Sequence, residues 1–202
     1  MGLRVSPAAL ATLAVCLALG ATACGGTSAS QSTPKFRGGT IVKPPQAPDF
    51  VLHDQSGRVV RLSAFHGPRI VTFLYTHCPD VCPIITENLN LALRELGPQR
   101  DKVRVLAVSV DPHGDTRKAV RHFARVHRLL PQFLYLTGSA PRLQRVWRDY
   151  GVTADPDRTD QAISHSSFEI LVDQSGRERL LYDARVKAAD VVHDVHTLLK
   201  TE

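Results

Sequence analysis

The chain has 202 residues, 43% of them apolar and 22% charged, and this ordinary balance excludes collagen-like, coiled-coil and wholly disordered proteins. Its net charge of +6 is scattered along the chain without a run of five basic residues, so nucleic-acid binding is not supported. Four cysteines are too few for a disulfide-stapled miniature domain, so each cysteine needs its own explanation.

Residues 1–23 are typical of a secretory signal peptide, with Arg4 as a basic start and a short apolar run at residues 8–19. The segment Gly20-Ala-Thr-Ala-Cys24 resembles a bacterial lipobox, which predicts cleavage before Cys24 and lipid attachment to its thiol. A lipidated Cys24 would anchor the protein to the bacterial cell membrane, on its extracytoplasmic side. The alternative is an ordinary signal with an Ala-x-Ala cleavage site, which leaves Cys24 without a role.

Residues 24–48 begin with this cysteine and continue as a Gly/Ser-rich and then Pro-rich segment. Such a composition is typical of a flexible to semi-rigid tether. We therefore expect residues 24–48 to hold a domain of residues 49–202 a short distance from the membrane.

From residue 49 onward, apolar runs of β-forming residues alternate with segments in which apolar residues have helical spacing. The predicted elements, in chain order, are a hairpin at 49–62, a strand at 69–75, a helix at 83–96, a strand at 103–110, a helix at 116–129, a strand at 132–136, a helix at 140–150, a hairpin at 168–182 and a helix at 186–199. This order predicts an α/β protein with a mainly parallel sheet, and specifically a thioredoxin-like fold with an N-terminal β-hairpin.

Cys78 and Cys82 stand in the segment Thr76-His-Cys-Pro-Asp-Val-Cys-Pro83, between the first buried strand and its helix. Ligands and reactive groups collect where strands of an open α/β sheet lead into helices. If the segment forms the first helical turn, both thiols lie on one face, and the helix N-terminus favours their thiolate forms. Paired thiolates suit a soft ion such as Cu(I) or Zn(II), and the same pair can also close into a disulfide.

Three other interpretations of the cysteine pair are weaker. A structural disulfide between Cys78 and Cys82 would close a very short loop and add little stability. Two inert buried thiols are not expected at a strand-to-helix junction, and a structural zinc ion would need four ligands. We therefore interpret the two cysteines as a functional pair.

Three motifs together resemble the SCO1/SenC family, the Sco copper proteins. The first is the cysteine segment Phe73-Leu-Tyr-Thr-His-Cys-Pro-Asp-Val-Cys-Pro83. The second, Ser109-Val-Asp-Pro-His-Gly-Asp-Thr116, is similar to the family's DPxxDT motif, and the third, Asp160-Gln-Ala-Ile-Ser-His165-Ser, is similar to its metal-histidine segment. The resemblance covers roughly residues 41–200, and three motifs in order are more specific than one.

The resemblance implies that Cys78 and Cys82 are copper thiolates and that His165 is the third ligand. Family members bind Cu(I) and Cu(II), and imidazole suits the harder Cu(II) ion. They help to assemble the CuA centre of cytochrome c oxidase. The implied partners are therefore subunit II of that oxidase, or another copper acceptor, and a thiol reductant.

Other side chains of these motifs receive simpler interpretations. Asp111 and Asp115 match family positions near the site, where they would position a ligand or a substrate; the alternative for Asp111 is that it only turns the chain. We expect Asp115 or Thr116 to cap the following helix. We expect His77 to point away from the thiols.

Two other functions are compatible with these residues. The first is a thiol–disulfide oxidoreductase acting on exported proteins, although the cysteines have three spacer residues rather than two and His165 has no place in such an enzyme. The second is a thiol peroxidase, which shares the fold but usually holds its reactive cysteine in a Thr-x-x-Cys setting. The leading hypothesis is a membrane-tethered copper chaperone.

Overall fold

The computed structural model of the chain describes residues 1–2, 35–154 and 167–201, and its elements lie in the unit Pro34–Glu202. The strands are β1 (Gly39–Thr40), β2 (Val51–His53), β3 (Val59–Arg61), β4 (Arg69–Leu74), β5 (Arg104–Ser109), β6 (Phe133–Leu136), β7 (Phe168–Val172) and β8 (Glu178–Asp183). The helices are α1 (Val81–Glu95), α2 (Arg117–Val126), α3 (Ala140–Asp149) and α4 (Ala188–Thr201), with short 3-10 helices at Leu62–Ala64 and Gly97–Lys102. From β2 onward the elements follow the predicted order, with small differences at their ends.

Six strands form the central sheet in the order β1-β8-β7-β4-β5-β6. Strands β4, β5 and β6 run parallel, while β7 is antiparallel to β4, and β8 and β1 continue the antiparallel half. The hairpin of β2 and β3 forms a separate two-stranded sheet, and its His53 exchanges two backbone hydrogen bonds with Thr137, just after β6. The predicted thioredoxin-like fold with an N-terminal hairpin is confirmed.

The core is centred on β4, all of whose residues are buried. This strand reads as a nearly continuous apolar run because it lies between two neighbouring strands and is covered on both faces. The apolar side of α1 packs against α4. Trp147 of α3 donates a 2.9 Å hydrogen bond to the carbonyl of Ser109, which attaches α3 to the end of β5. The end of β5 is thereby held in place beside Leu74, the last residue of β4, which leads into the cysteine segment.

The structure differs from the sequence prediction in the second half of the predicted tether. Residues 36–47, here called the docked segment, run beside β8, where β1 pairs Gly39 with Leu181. Asp194 of α4 accepts the backbone N–H groups of Arg37 at 2.9 Å and Gly38 at 2.8 Å. Backbone hydrogen bonds hold this segment in place. Because such bonds require no alternation of apolar and polar side chains, the sequence pattern did not predict a strand here. The domain therefore starts well before residue 49.

The predicted membrane attachment falls mostly on residues 3–34, which include Cys24 and lie outside the described residues. Within the described ranges, no helix combines the length and apolar character needed to cross a bilayer. The signal peptide and the lipid anchor stay predictions.

Candidate functional site

The two cysteines lie at the carboxyl end of β4, in the loop that leads into α1. Residues 75–80, here called the thiol loop, begin directly after the last buried residue of β4. Cys78 is half-buried in this loop, whereas Cys82 is fully buried at the second position of α1. Neither cysteine is in a disulfide, so both are free thiols.

The local geometry differs in one respect from the predicted helical turn, because α1 begins at Val81 and Cys78 precedes it. The Cys78 Sγ atom accepts a hydrogen bond from the backbone N–H of Cys82 at 3.4 Å. The sulfur thereby satisfies one of the N–H groups that have no partner within a first helical turn. Pro83 fits in the same turn because it has no N–H to satisfy. The helix start and the Cys78 sulfur thus stabilise each other.

The two thiols differ strongly in pKa. The pKa of Cys78 is lowered to about 5 because the Cys82 thiol and the backbone N–H groups of Asp80 and Cys82 donate hydrogen bonds to its sulfur. The hydrogen bond to Cys78 and burial raise the pKa of Cys82, and the charge of Asp115 adds to the effect. At neutral pH the pair therefore carries one thiolate, on the more exposed Cys78.

Asp115 is a buried carboxylate that joins three parts of the site. Its Oδ1 accepts the backbone N–H of Thr76 at 2.8 Å, and its Oδ2 accepts the hydroxyls of Ser109 at 2.6 Å and Tyr135 at 2.9 Å. The pKa of Asp115 is raised by burial, although these hydrogen bonds oppose the change. The expected cap of α2 is Thr116, whose Oγ1 accepts the N–H of Ala119 at 3.2 Å. Thr116 thus provides the expected cap, whereas Asp115 joins the thiol loop to the sheet through hydrogen bonds that sequence reasoning did not predict.

Asp111 turns the chain after β5. Its Oδ1 accepts the backbone N–H groups of His113 at 3.1 Å and Gly114 at 2.7 Å. Side-chain ligand atoms of Asp111, Asp115 and His77 nevertheless all lie within 4.8 Å of one another. Asp111 therefore lies beside the thiol loop in a turn-forming role, and its influence on the site stays a prediction.

His77 is exposed, and its Nδ1 lies 3.1 Å from the Oγ1 of Thr76. Its ring lines a surface groove next to α2. The ring is thus in reach of the carboxylates described above and of α2.

His165 lies outside the described residues, so its role as a ligand stays a prediction. The strand that follows it, β7, begins at Phe168, whose ring centroid is 5.9 Å from that of Phe73 on β4. Because β7 is antiparallel to β4, the start of β7 is at the same end of the sheet as the thiol loop.

The arrangement can perform two kinds of chemistry. An accessible thiolate beside a protonated thiol is suited to thiol–disulfide exchange, since the thiolate is the attacking species. The same two sulfurs are suited to a soft metal ion, which would displace the second proton on binding.

The chain resembles known proteins over most of its length. The family described as SCO1/SenC matches residues 39–200. The mitochondrial SCO2 homolog of Bos taurus is 35% identical over 153 residues, which are 72% of this chain and 56% of that protein. The match thus spans little more than half of that relative's length. The SCO1 protein homolog of Bacillus subtilis is 28% identical over 173 residues, 78% of this chain and 86% of that protein.

Among solved structures, ScoI of Bradyrhizobium japonicum with copper bound has a TM-score of 0.68 and 28% sequence identity. The comparison covers 76% of this chain and 99% of that one. The family match contains both cysteines and the Asp111–Thr116 segment within one continuous range. The chain belongs to the SCO1/SenC family.

Proposed function

We propose that this protein is a membrane-tethered, extracytoplasmic copper-binding protein that helps to assemble the CuA centre of cytochrome c oxidase. It holds Cu(I) and Cu(II) through Cys78, Cys82 and His165. The single observation that carries the proposal is the contact between the two free thiols at the start of α1, with the pKa of Cys78 lowered to about 5. The copper-bound structure of the related ScoI supports copper as the ion.

The donor set fits copper better than other common ions. Two sulfur ligands favour a soft ion, and a low pKa makes one of them available as a thiolate at neutral pH. A structural zinc site would require four ligands, whereas Cys78 and Cys82 supply only two sulfurs. Copper would be bound here as cargo for transfer to another protein.

His165 is proposed as the third ligand on grounds of topology and ligand chemistry. It precedes Phe168 by three residues, and Phe168 contacts Phe73 beside the end of β4. A neutral imidazole would complete a site that holds the harder Cu(II) ion as well as Cu(I).

The proposed partners are the CuA-containing subunit II of cytochrome c oxidase, or another copper acceptor, and a thiol reductant that keeps Cys78 and Cys82 reduced. A lipid on Cys24 would keep the domain at the extracytoplasmic face of the membrane, where such an acceptor would be met.

A Cu(II) titration of the reduced full chain, followed by visible absorption, tests the proposal. We expect a saturating thiolate-to-copper charge-transfer band at one copper per chain, which is lost or altered in Cys78→Ala, Cys82→Ala and His165→Ala. His196→Ala, a histidine substitution on α4, is the matched control and should leave the band unchanged. An unchanged band in His165→Ala would show that His165 is not a copper ligand.

The alternative function is thiol–disulfide exchange with exported proteins, which the unequal exposure and pKa of the two thiols favour. This reaction would need both cysteines but not His165. Rapid conversion to a stable disulfide on adding Cu(II), without a charge-transfer band, would favour this alternative over copper binding.

A further inference from the structure

We infer that the groove beside α2 is a docking site for an acidic segment of a partner protein, which it guides to the thiol loop. The inference deepens the proposed function, because it names the chemistry of the partner that the thiols would meet.

The groove has a volume of about 880 Å³ and runs along the exposed side of α2. Six of the side chains that line it are basic or imidazole groups: His77, Arg117, Lys118, Arg121, His122 and Arg125. All six are exposed. The groove thus presents a concentrated positive surface along one side of α2.

No carboxylate in the part of the chain that the structure describes neutralises the basic side chains of α2. The helix contains no Asp or Glu from Arg117 to Val126. Among the described carboxylates, none forms an ion pair with Arg117, Lys118, Arg121 or Arg125. The single hydrogen bond between these side chains joins Arg125 to the ring of His122 at 3.1 Å. The positive charge is therefore available to an external anionic group.

The position of two of these charges is unfavourable for the helix. Arg117 and Lys118 occupy the first two positions of α2, where the helix dipole is positive and acidic residues are stabilising. By contrast, α4 has Asp190 in its first turn. Helix stability gives no reason for basic residues here, whereas recognition of a negatively charged partner does.

The groove reaches the thiol loop at His77. His77, which lines it, is the residue directly before Cys78. A chain lying along α2 as far as His77 would therefore end at the residue next to Cys78 in the thiol loop. This continuity favours a protein segment over an anionic membrane surface, since a bilayer is flat and has no thiols to exchange with Cys78 or to receive its metal ion.

Fluorescence anisotropy of a labelled peptide of alternating Glu and Ala residues, titrated with the reduced full chain in detergent, tests the inference. We expect saturable binding that weakens with salt, and no binding of the same peptide with Gln in place of Glu. The double variant Arg121→Ala/Arg125→Ala should weaken binding about tenfold. The matched double variant on α3, Arg145→Ala/Arg148→Ala, removes the same charge from exposed helix positions and should change binding less than about twofold.

A benzophenone group at one end of the peptide then reports its position. Cross-links mapped by mass spectrometry should fall in α2 and in the thiol loop. Equal weakening by the two double variants, or cross-links spread over the surface, would overturn the inference by showing non-specific attraction.

Two comparisons distinguish a protein docking site from a membrane contact and from the copper site itself. If the α2 variant lost binding to phosphatidylglycerol vesicles but not to the peptide, the groove would be a membrane contact and the inference would be wrong. The peptide experiment uses no copper, so peptide binding lost only in the α2 variant would support the groove even if the copper titration failed. If the copper titration gave the charge-transfer band but the peptide bound without selectivity, the proposed copper function would be supported and the docking site would be wrong.

Discussion

The carboxylate of Asp115 accepts the backbone N–H of Thr76 at 2.8 Å, which joins the loop after β5 to the thiol loop after β4. The same carboxylate accepts the hydroxyls of Ser109 and Tyr135 from two strands of the sheet. The position of Cys78 thus depends on a residue that is distant in sequence.

Replacing this carboxylate should destabilise the site. We expect Asp115→Ala to lower the free energy of unfolding by about 1–3 kcal/mol, because it leaves buried donors without an acceptor. Asp111→Ala is the matched control, since its turn is partly exposed and water can replace the lost acceptor. Urea denaturation of both variants measures the difference. Equal losses would contradict the central role of Asp115.

The reactivity of Cys78 should extend to acidic pH. Because its pKa is lowered to about 5, we expect its alkylation by iodoacetamide, mapped by mass spectrometry, to remain fast at pH 6 and to fall only near pH 5. Cys82→Ala removes the principal hydrogen-bond donor to the thiolate and should move this transition to higher pH. Cys82→Ser keeps a hydroxyl donor and should move it less. A wild-type transition above pH 8 would disprove the proposed hydrogen bonding.

Glu169 should make the stability of the domain depend on pH. It is fully buried on β7, and burial together with the charge of Asp183 raises its pKa to about 8, although a hydrogen bond from Thr72 opposes this. The folded state therefore holds the proton more tightly than the unfolded chain. Its stabilising contribution is complete below the unfolded pKa, about 4.5, and is lost as the pH rises through about 8.

We expect Glu169→Gln to be more stable than the wild type at pH 8, by roughly 2–4 kcal/mol, and similar to it at pH 4. Thermal unfolding across this pH range measures the effect. Glu178→Gln is the control, because burial also raises the pKa of Glu178 but its side chain is less enclosed, so its effect should be smaller. A wild type whose stability did not fall between pH 5 and 8 would contradict the expectation.

The docked segment should be released when its anchor on α4 is removed. Asp194→Ala deletes the acceptor for the N–H groups of Arg37 and Gly38 and for the hydroxyl of Tyr182. We expect faster cleavage by trypsin at Arg37 and Lys43, and a loss of about 1–3 kcal/mol in stability. Asp190→Ala removes the exposed pair with Arg37 and one acidic residue from the first turn of α4, and it should change the cleavage little. Unchanged cleavage in Asp194→Ala would argue against this anchor.

Membrane attachment should depend on Cys24. We expect the protein to enter the detergent phase of a Triton X-114 partition and its N-terminal peptide to carry acyl chains. Cys24→Ser should lose the acyl chains and leave that phase once the signal peptide is removed. An unmodified Cys24 in the mature protein would contradict the prediction that this residue carries a lipid.

The sequence by itself determined the order of the elements from β2 onward and the location of the Cys78 and Cys82 thiols. Continuous apolar runs mark β4, β5 and β6 because buried strands need apolar side chains on both faces. The spacing of Cys78 and Cys82, next to a predicted strand end, places both sulfurs at one site. These features depend on neighbours a few residues apart, which a sequence pattern records directly.

Only the tertiary structure decided which distant groups meet. Asp115 could be expected as a helix cap from its neighbours, yet it accepts hydrogen bonds from Thr76 and Tyr135, which strand order brings to it. The docked segment pairs with β8 through backbone groups that carry no side-chain pattern. Folding also brings His77 of the thiol loop into the groove that the basic side chains of α2 line. Contacts between residues far apart in the chain depend on sheet order and loop path, and no local periodicity encodes these.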